Sequence, residues 1–139
     1  MKPLTTVLSL PVSNPEVTLT FYRDGLGLDT EGIDEGIVAF ELPNLSLFFI
    51  ETNEYLSYLG YSGNAELPIP APGATIISCA FGSPEEIDDI LRRAEFAGGR
   101  AYPPVNEDGS YMGYFSDPDG HIWELVANAT TAQAAAAQV

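Results

Sequence analysis

Hydrophobic and polar residues alternate over residues 5–12 and again over residues 74–81, which predicts a β-strand in each stretch. In the first, Leu8, Leu10 and Val12 share one face and Ser9 lies on the other. The second stretch repeats this pattern 69 residues later, with Ser78 at the position of Ser9. The chain is therefore expected to contain an internal structural repeat.

A helix start signal follows each of these strands. Asn14 and Ser83 are N-cap residues, and each precedes a proline and a glutamate, a combination typical of the first helical turn. These signals are also 69 residues apart. Glycines that favour helix termination follow at Gly25 and Gly98.

Three further strands are predicted after each helix, separated by turn residues. They cover residues 28–33, 37–42 and 45–51 in the first half and residues 100–106, 110–116 and 121–127 in the second. The pattern is βαβββ twice, which predicts an α+β fold. We expect a single domain, residues 1–139, with repeat one at about 4–52, a linker at 53–73, repeat two at about 74–128, and an Ala-rich tail at 129–139 that forms a short helix.

Charge and composition narrow the classes of partner. The net charge is −15, from 20 acidic and five basic residues, and a surface this acidic repels nucleic acid. It attracts a cationic ligand, or it serves only solubility. No apolar run approaches the ~20 residues of a membrane span, so no membrane partner is expected. A single cysteine, Cys79, excludes an internal disulfide and predicts a cytoplasmic protein.

Three ordered motifs point to a family. They are FYRDGLGL at residues 21–28, AEFAGG at residues 94–99 and GYFSDPDGHIWEL at residues 113–125. Together with the repeat, they resemble the glyoxalase / bleomycin-resistance / extradiol-dioxygenase (vicinal oxygen chelate) superfamily over roughly residues 4–128. This resemblance implies that the two repeats form a curled mixed sheet with helices on its convex side. It also implies a homodimer and a concave small-molecule cleft.

The resemblance further implies a divalent metal held by four side chains, two from each repeat. Aligning the motifs places these ligands at Val7, Phe48, Ile76 and Glu124. Three of the four carry no donor atom, so we expect neither a metal nor a cofactor. A small register error would bring in the neighbouring polar residues Ser9, Ser78 or Glu51, but none of these supplies imidazole. The only histidine, His121, directly follows the turn signal at residues 117–120 and is interpreted as a turn residue.

Two residues have candidate chemistry in the expected cleft. Glu124 is either a relic, hydrogen-bonded by its neighbours, or a charged group that binds a ligand. Tyr114 lies ten residues earlier, a spacing that resembles the active-site tyrosine of extradiol dioxygenases; it is otherwise an ordinary sheet residue. The residues predicted to line the ligand site are Val7, Ser9, Phe48, Ile50, Ile76, Ser78, Tyr114, Ile122 and Glu124.

Three hypotheses for function follow. The first is a metal-free protein that binds a small cationic or aromatic ligand, as bleomycin-resistance proteins do by sequestration. The second is a lyase, isomerase or dioxygenase that uses Glu124 and Tyr114 as catalytic residues with an atypical or absent metal. The third is a non-catalytic dimeric scaffold. The missing metal ligands favour the first.

Overall fold

The computed structural model describes residues 1–63, 66 and 68–138. The chain forms two compact units, Met1–Ala71 and Pro72–Val139, and their boundary falls inside the predicted linker. Each unit has its own sheet and its own helices. The α+β class and the two successive mixed sheets agree with the prediction.

The first unit contains a four-stranded sheet. Its strands are β1 (Val7–Val12), β2 (Ile33–Asp34), β3 (Ile37–Leu42) and β4 (Leu45–Glu51), arranged in the order β1-β4-β3-β2. β1 runs parallel to β4, and the other neighbouring pairs are antiparallel. The first and last strands of the unit are therefore neighbours.

The prediction of a strand over residues 28–33 was wrong for most of its length. Only Ile33 joins the sheet, as the first residue of β2. Before it, the Thr30 hydroxyl donates a 2.7 Å hydrogen bond to the carbonyl oxygen of Ala39 in β3, and Gly32 adopts a φ of 99°. A side chain thus makes the contact that a strand would make through its backbone, and the glycine turns the chain out of the extended conformation.

The first helix changes geometry midway. The α-helix α1 (Pro15–Leu19) begins at Asn14, whose side chain accepts a 3.0 Å hydrogen bond from the Glu16 amide, and it continues as a π-helical segment over Thr20–Gly25. This segment buries both Phe21 and Tyr22. The Tyr22 ring stacks at 4.8 Å on Phe49 of β4, so the helix and sheet share an aromatic core.

The first part of the predicted linker is a helix. α2 (Thr52–Tyr61) follows directly from β4, and the Glu51 carboxylate accepts hydrogen bonds from the amides of Asn53 and Glu54 at its N-terminus. Three linker residues, Asn64, Ala65 and Leu67, lie outside the described residues.

The second unit repeats the arrangement. After a 3-10 turn at Pro72–Ala74 come β5 (Ile76–Ala80), α3 (Pro84–Phe96), β6 (Arg100–Ala101), β7 (Val105–Glu107), β8 (Ser110–Ser116) and β9 (Ile122–Ala127). The strand order is β5-β9-β8-β6, with β7 also paired to β8, and β5 is parallel to β9. As in the first unit, the first and last strands are neighbours.

The single strand predicted over residues 100–106 is two short strands. Pro103 and Pro104 lie between β6 and β7 and have no amide hydrogen to donate to a sheet. The Ala-rich tail forms the predicted short helix, α4 (Ala129–Ala137). It begins with a capping box in which the side chains of Asn128 and Thr131 each accept a hydrogen bond from the other's backbone amide.

One face of the second sheet packs against α3. Trp123 stacks on Phe115 with ring centroids 5.8 Å apart, and Ile87, Leu91 and Ala94 of α3 are buried. In the described part of the chain, no helix is long and apolar enough to cross a membrane.

The close approach of α3 depends on a glycine in β8. A Cβ at Gly113 would lie 2.7 Å from the Ile87 methyl carbon Cγ2 and 3.0 Å from Leu91 Cδ1. We predict that Gly113→Ala lowers the free energy of unfolding of this unit by about 1–3 kcal/mol, the usual cost of overpacking. Urea unfolding followed by the fluorescence of Trp123, the only tryptophan, measures this. The control is Gly73→Ala, where the nearest atom is 3.9 Å away. Equal stability of the two variants would contradict the prediction.

Candidate functional site

Each sheet has a second face, opposite its helix, and strand register decides which residues meet there. In the first unit Ser9 of β1 lies opposite Phe48 of β4, and Phe48 lies opposite Ala39 of β3. In the second unit Ser78 lies opposite Glu124, and Glu124 lies opposite Tyr114. The two rows occupy the same strands of the repeat, so Phe48 and Glu124 are equivalent positions. We call these two surfaces the open faces.

Glu124 is at the centre of the second open face and is held by both of its neighbours. The Ser78 hydroxyl donates a 3.0 Å hydrogen bond to Oε1, and the Tyr114 hydroxyl donates a hydrogen bond to Oε2. Cross-strand neighbours on one face have Cβ atoms about 5 Å apart, which brings these three side chains within hydrogen-bonding reach. The carboxylate is thus fixed in orientation while its side chain remains half-buried.

The hydrogen bond also changes the acidity of Tyr114. Its pKa is raised, first because the hydroxyl donates to Glu124 and then because of desolvation and the negative charge of the carboxylate. Tyr114 therefore keeps its proton at neutral pH and is a hydrogen-bond donor. The row presents a carboxylate flanked by two hydroxyls. The carboxylate can accept hydrogen bonds from a ligand or balance a positive charge on it.

The structure places Val7 and Ile76 on the open faces, one pair of residues along from the pairs that contain Phe48 and Glu124. Val7 pairs with Ser46 rather than with Phe48, and Ile76 pairs with Ile122 rather than with Glu124. Val7 and Ile76 are 45% and 55% exposed. Ile122 is half-buried beside Glu124 on the same face.

Ile50 differs from the other residues predicted to line the ligand site. It is only 2% exposed, so its side chain has little surface to offer a ligand.

His121 and Cys79 have structural surroundings. His121 is 5% exposed, and its amide donates a 2.9 Å hydrogen bond to the carboxylate of Asp117, which organises the turn before β9. Cys79 lies on the helix-facing side of β5, and burial raises the pKa of its thiol. A neutral thiol is a poor nucleophile.

Sequence reasoning missed a cleft of about 840 Å³ in the first unit. It lies on the open face, between β3 and the chain segment that precedes β2, and it includes Phe48. The sequence signal was the density of acidic residues between positions 29 and 41, where no basic residue occurs. Sequence reasoning interpreted these residues only through the net charge of the chain, because the sequence does not show that the segment before β2 lies beside β3.

Comparison with known proteins decides the family. Residues 5–125 match the model of the Glyoxalase/Bleomycin resistance protein/Dioxygenase superfamily. The chain belongs to this superfamily. No curated protein shows significant similarity to it.

Solved structures of the same superfamily share the fold. A glyoxalase-related enzyme from Fulvimarina pelagi is 22% identical, with a TM-score of 0.78 over 91% of this chain and 89% of that one. A glyoxalase/bleomycin resistance protein/dioxygenase from Nocardioides is 27% identical, with a TM-score of 0.67 over 92% and 85%. Lactoylglutathione lyase from Agrobacterium tumefaciens is 22% identical, with a TM-score of 0.65 over 91% and 96%.

The residues present do not fit the metal that the superfamily resemblance implies. Val7, Phe48 and Ile76 are hydrocarbon, and the residue directly beside Glu124 on β5 is Ser78, whose neutral hydroxyl is a weak ligand. Among the described residues, no group of three or more His, Cys, Asp or Glu side chains is arranged to hold a metal ion. One carboxylate with two hydroxyls is a donor set for hydrogen bonding rather than for tight metal binding.

We predict that Glu124→Gln lowers the pKa of Tyr114 towards the usual value for tyrosine of about 10. The substitution removes the negative charge that favours the protonated phenol. Above pH 10, Tyr114 should therefore ionise in the variant at a pH where it is still protonated in the wild type. NMR titration of the tyrosine Cζ resonances measures this.

Tyr111 is an internal control for that titration. Its pKa is raised by a separate hydrogen bond to Asp88, so Glu124→Gln should leave it unchanged. If Tyr114 titrates at the same pH in both proteins, its hydroxyl is not bonded to Glu124.

Proposed function

We propose that this member of the superfamily binds a small organic molecule without a metal ion, and that Glu124 is the residue that orients the ligand. The observation that carries the proposal is the hydrogen-bonded row of Ser78, Glu124 and Tyr114 on the open face. Two hydroxyls fix the carboxylate of Glu124. The other three positions at which the superfamily holds metal ligands carry hydrocarbon side chains here, so this carboxylate has no partners for binding a metal. The arrangement is that of a preformed acceptor.

The chemistry of the row indicates the kind of group it accepts. An ionised carboxylate accepts hydrogen bonds and donates none, and it attracts positive charge. Because Ser78 and Tyr114 each use their hydroxyl hydrogen on Glu124, the remaining lone pairs of all three groups are acceptors. The matching ligand group is therefore an ammonium, an amidinium or another N–H donor.

Around the row, the open face is apolar. Ile76 is 55% exposed on β5, and Ile122 and Val126 flank Glu124 along β9. A few fixed polar groups among hydrocarbon are typical of small-molecule sites, where apolar contacts supply affinity and polar groups supply orientation. We therefore infer an apolar or aromatic ligand body next to the cationic or N–H group.

The first test concerns the metal. Protein purified without chelators should contain far less than one Zn, Ni, Fe or Mn per chain by elemental analysis, because three of the four mapped positions offer only hydrocarbon. EDTA should leave the melting temperature unchanged. A stoichiometric metal that survives dialysis would overturn the metal-free mode of binding.

The second test concerns Glu124. Cationic aromatic compounds are screened by thermal shift, and amide shift changes in NMR select those that contact β5, β8 and β9. For these compounds Glu124→Gln should weaken binding by about 1.5–3 kcal/mol, roughly 10- to 150-fold, the range for hydrogen bonds to charged groups. Glutamine preserves the shape, so folding should be nearly unchanged.

Glu107→Gln is the matched control for charge. Glu107 is an exposed residue of β7, and its substitution changes the net charge by the same amount away from the row. Affinity should be close to that of the wild type in this variant. If the selected compounds bind the wild type and Glu124→Gln equally, Glu124 is a relic and the proposed role is wrong.

A further inference from the structure

One feature that the Glu124 row leaves unexplained is the cleft of about 840 Å³ in the first unit. We propose that this cleft binds an amphipathic organic amine, with the hydrocarbon body against the sheet and the ammonium group at the acidic rim. The inference rests on the proposed function in that it assumes a small-molecule-binding protein. It adds a second place of contact, which involves none of the residues of the Glu124 row, and requires the charge of the ligand to be at one end of its hydrocarbon body.

The floor of the cleft is apolar. Ile37 and Ala39 of β3 and Phe48 of β4 alternate onto the open face, and each is half-buried rather than covered. A volume of 840 Å³ is within the range of about 300–1,000 Å³ for small-molecule sites. A ligand can bury its apolar body against the aliphatic and aromatic surface of this floor.

The wall is held in place by a side chain. Thr30 donates its hydroxyl hydrogen to the carbonyl oxygen of Ala39 and accepts a 3.3 Å hydrogen bond from the Gly32 amide. These bonds tie the wall to β3. Because the cleft is already formed, binding does not require the wall to be ordered first.

The rim carries five carboxylates and, among its described residues, no positive charge. They belong to Asp29, Glu31, Asp34, Glu35 and Glu41. The described cleft lining includes no Lys, Arg or His, and the whole stretch from residue 24 to residue 91 lacks Lys and Arg. Carboxylates alone would not define a ligand, but carboxylates around an apolar floor select a molecule that is both cationic and hydrophobic.

The spread of the carboxylates argues against a simple metal ion. Among the described residues, no three of them are close enough together to ligate one ion, whereas Ca²⁺ needs six to eight oxygen ligands. An ammonium group can bind where the nearby potential is negative, because it keeps part of its hydration shell and does not need several protein ligands. The rim residues are exposed, so the attraction is long-range and is screened by salt.

The two repeats therefore present charge in opposite ways. In the second unit the carboxylate of Glu124 is at the centre of the open face. At the equivalent position of the first unit Phe48 is apolar, and the acidic groups surround it at the rim. A molecule that suits the cleft has its charge at one end and hydrocarbon at the other.

The probe is 4-phenylbutylamine, and its neutral analogue is 4-phenylbutanol. Binding of each compound to the full chain is measured by ¹⁵N NMR titration at low salt. The amine should shift amides in residues 27–41 and around residue 48, and the alcohol should bind at least several-fold more weakly. Raising the ionic strength from about 0.02 M to 0.5 M should weaken binding of the amine but not of the alcohol.

The variant Asp29→Asn/Glu31→Gln/Glu35→Gln tests the rim. Each exposed carboxylate should contribute roughly 1.5- to 5-fold to affinity, so the triple variant should bind the amine about 3- to 125-fold more weakly. The matched control is Glu16→Gln/Glu85→Gln/Glu107→Gln, which removes the same charge at exposed positions outside the cleft and should bind nearly as the wild type does. Phe48→Ala should weaken both amine and alcohol.

Three outcomes would overturn the inference: shift changes outside the cleft, equal binding of amine and alcohol, or equal loss in the rim and control variants. Ca²⁺ that binds the wild-type rim with higher affinity than the amine would also overturn it, in favour of an inorganic cation site. The Glu124→Gln measurement is independent of these results. If Glu124→Gln loses ligand binding while the rim variant binds as the wild type does, the proposed function is supported and only the inference about the cleft is wrong.

Discussion

The parallel pairing of the first and last strand in each unit determines which side chains can act together. It places Ser9 beside Phe48 in one unit and Ser78 beside Glu124 in the other. A shift of one residue in either pairing would turn these side chains to the helix-facing side. The aromatic contact of Tyr22 with Phe49, and the packing of α3 against the sheet that carries Glu124, oppose such a shift because both require the present faces to be buried.

The same constraint explains how a superfamily member can lack the usual metal-ligating residues and keep its fold. Residues on the open faces do not contribute to the aromatic core, so a metal ligand can be replaced by hydrocarbon at Val7, Phe48 or Ile76 without disturbing the helix packing. The remaining carboxylate then needs new partners, because an isolated charge on an apolar face is poorly solvated. Ser78 and Tyr114 supply two hydrogen bonds to Glu124 from the neighbouring strands.

Sequence reasoning predicted the elements whose signals are local. The strands Ile37–Leu42, Leu45–Glu51 and Ser110–Ser116 have the predicted bounds, and the helices α1 and α3 begin after the predicted caps. It failed where non-local or proline effects decide, at residues 28–33 and 100–106. Sequence reasoning predicted Ser78, Tyr114 and Glu124 as residues of the site but did not predict the hydrogen bonds between them. Which residues are neighbours across strands depends on the strand register. The homodimer and the cytoplasmic location remain predictions.

The position of an acidic group determines what it costs and what it can do. Carboxylates at the rim of the cleft remain hydrated, so many of them can be present with little loss of stability, and together they produce a broad negative potential. Glu124 is half-buried on the sheet and accepts hydrogen bonds from two hydroxyls, which fix its orientation. The rim is therefore suited to attracting a cation of loosely defined shape. The row is suited to discriminating between ligands by the direction of a hydrogen bond. A ligand displaces water from Glu124 when it binds, and if its N–H group cannot align with the carboxylate, the lost hydrogen bond to water is not replaced.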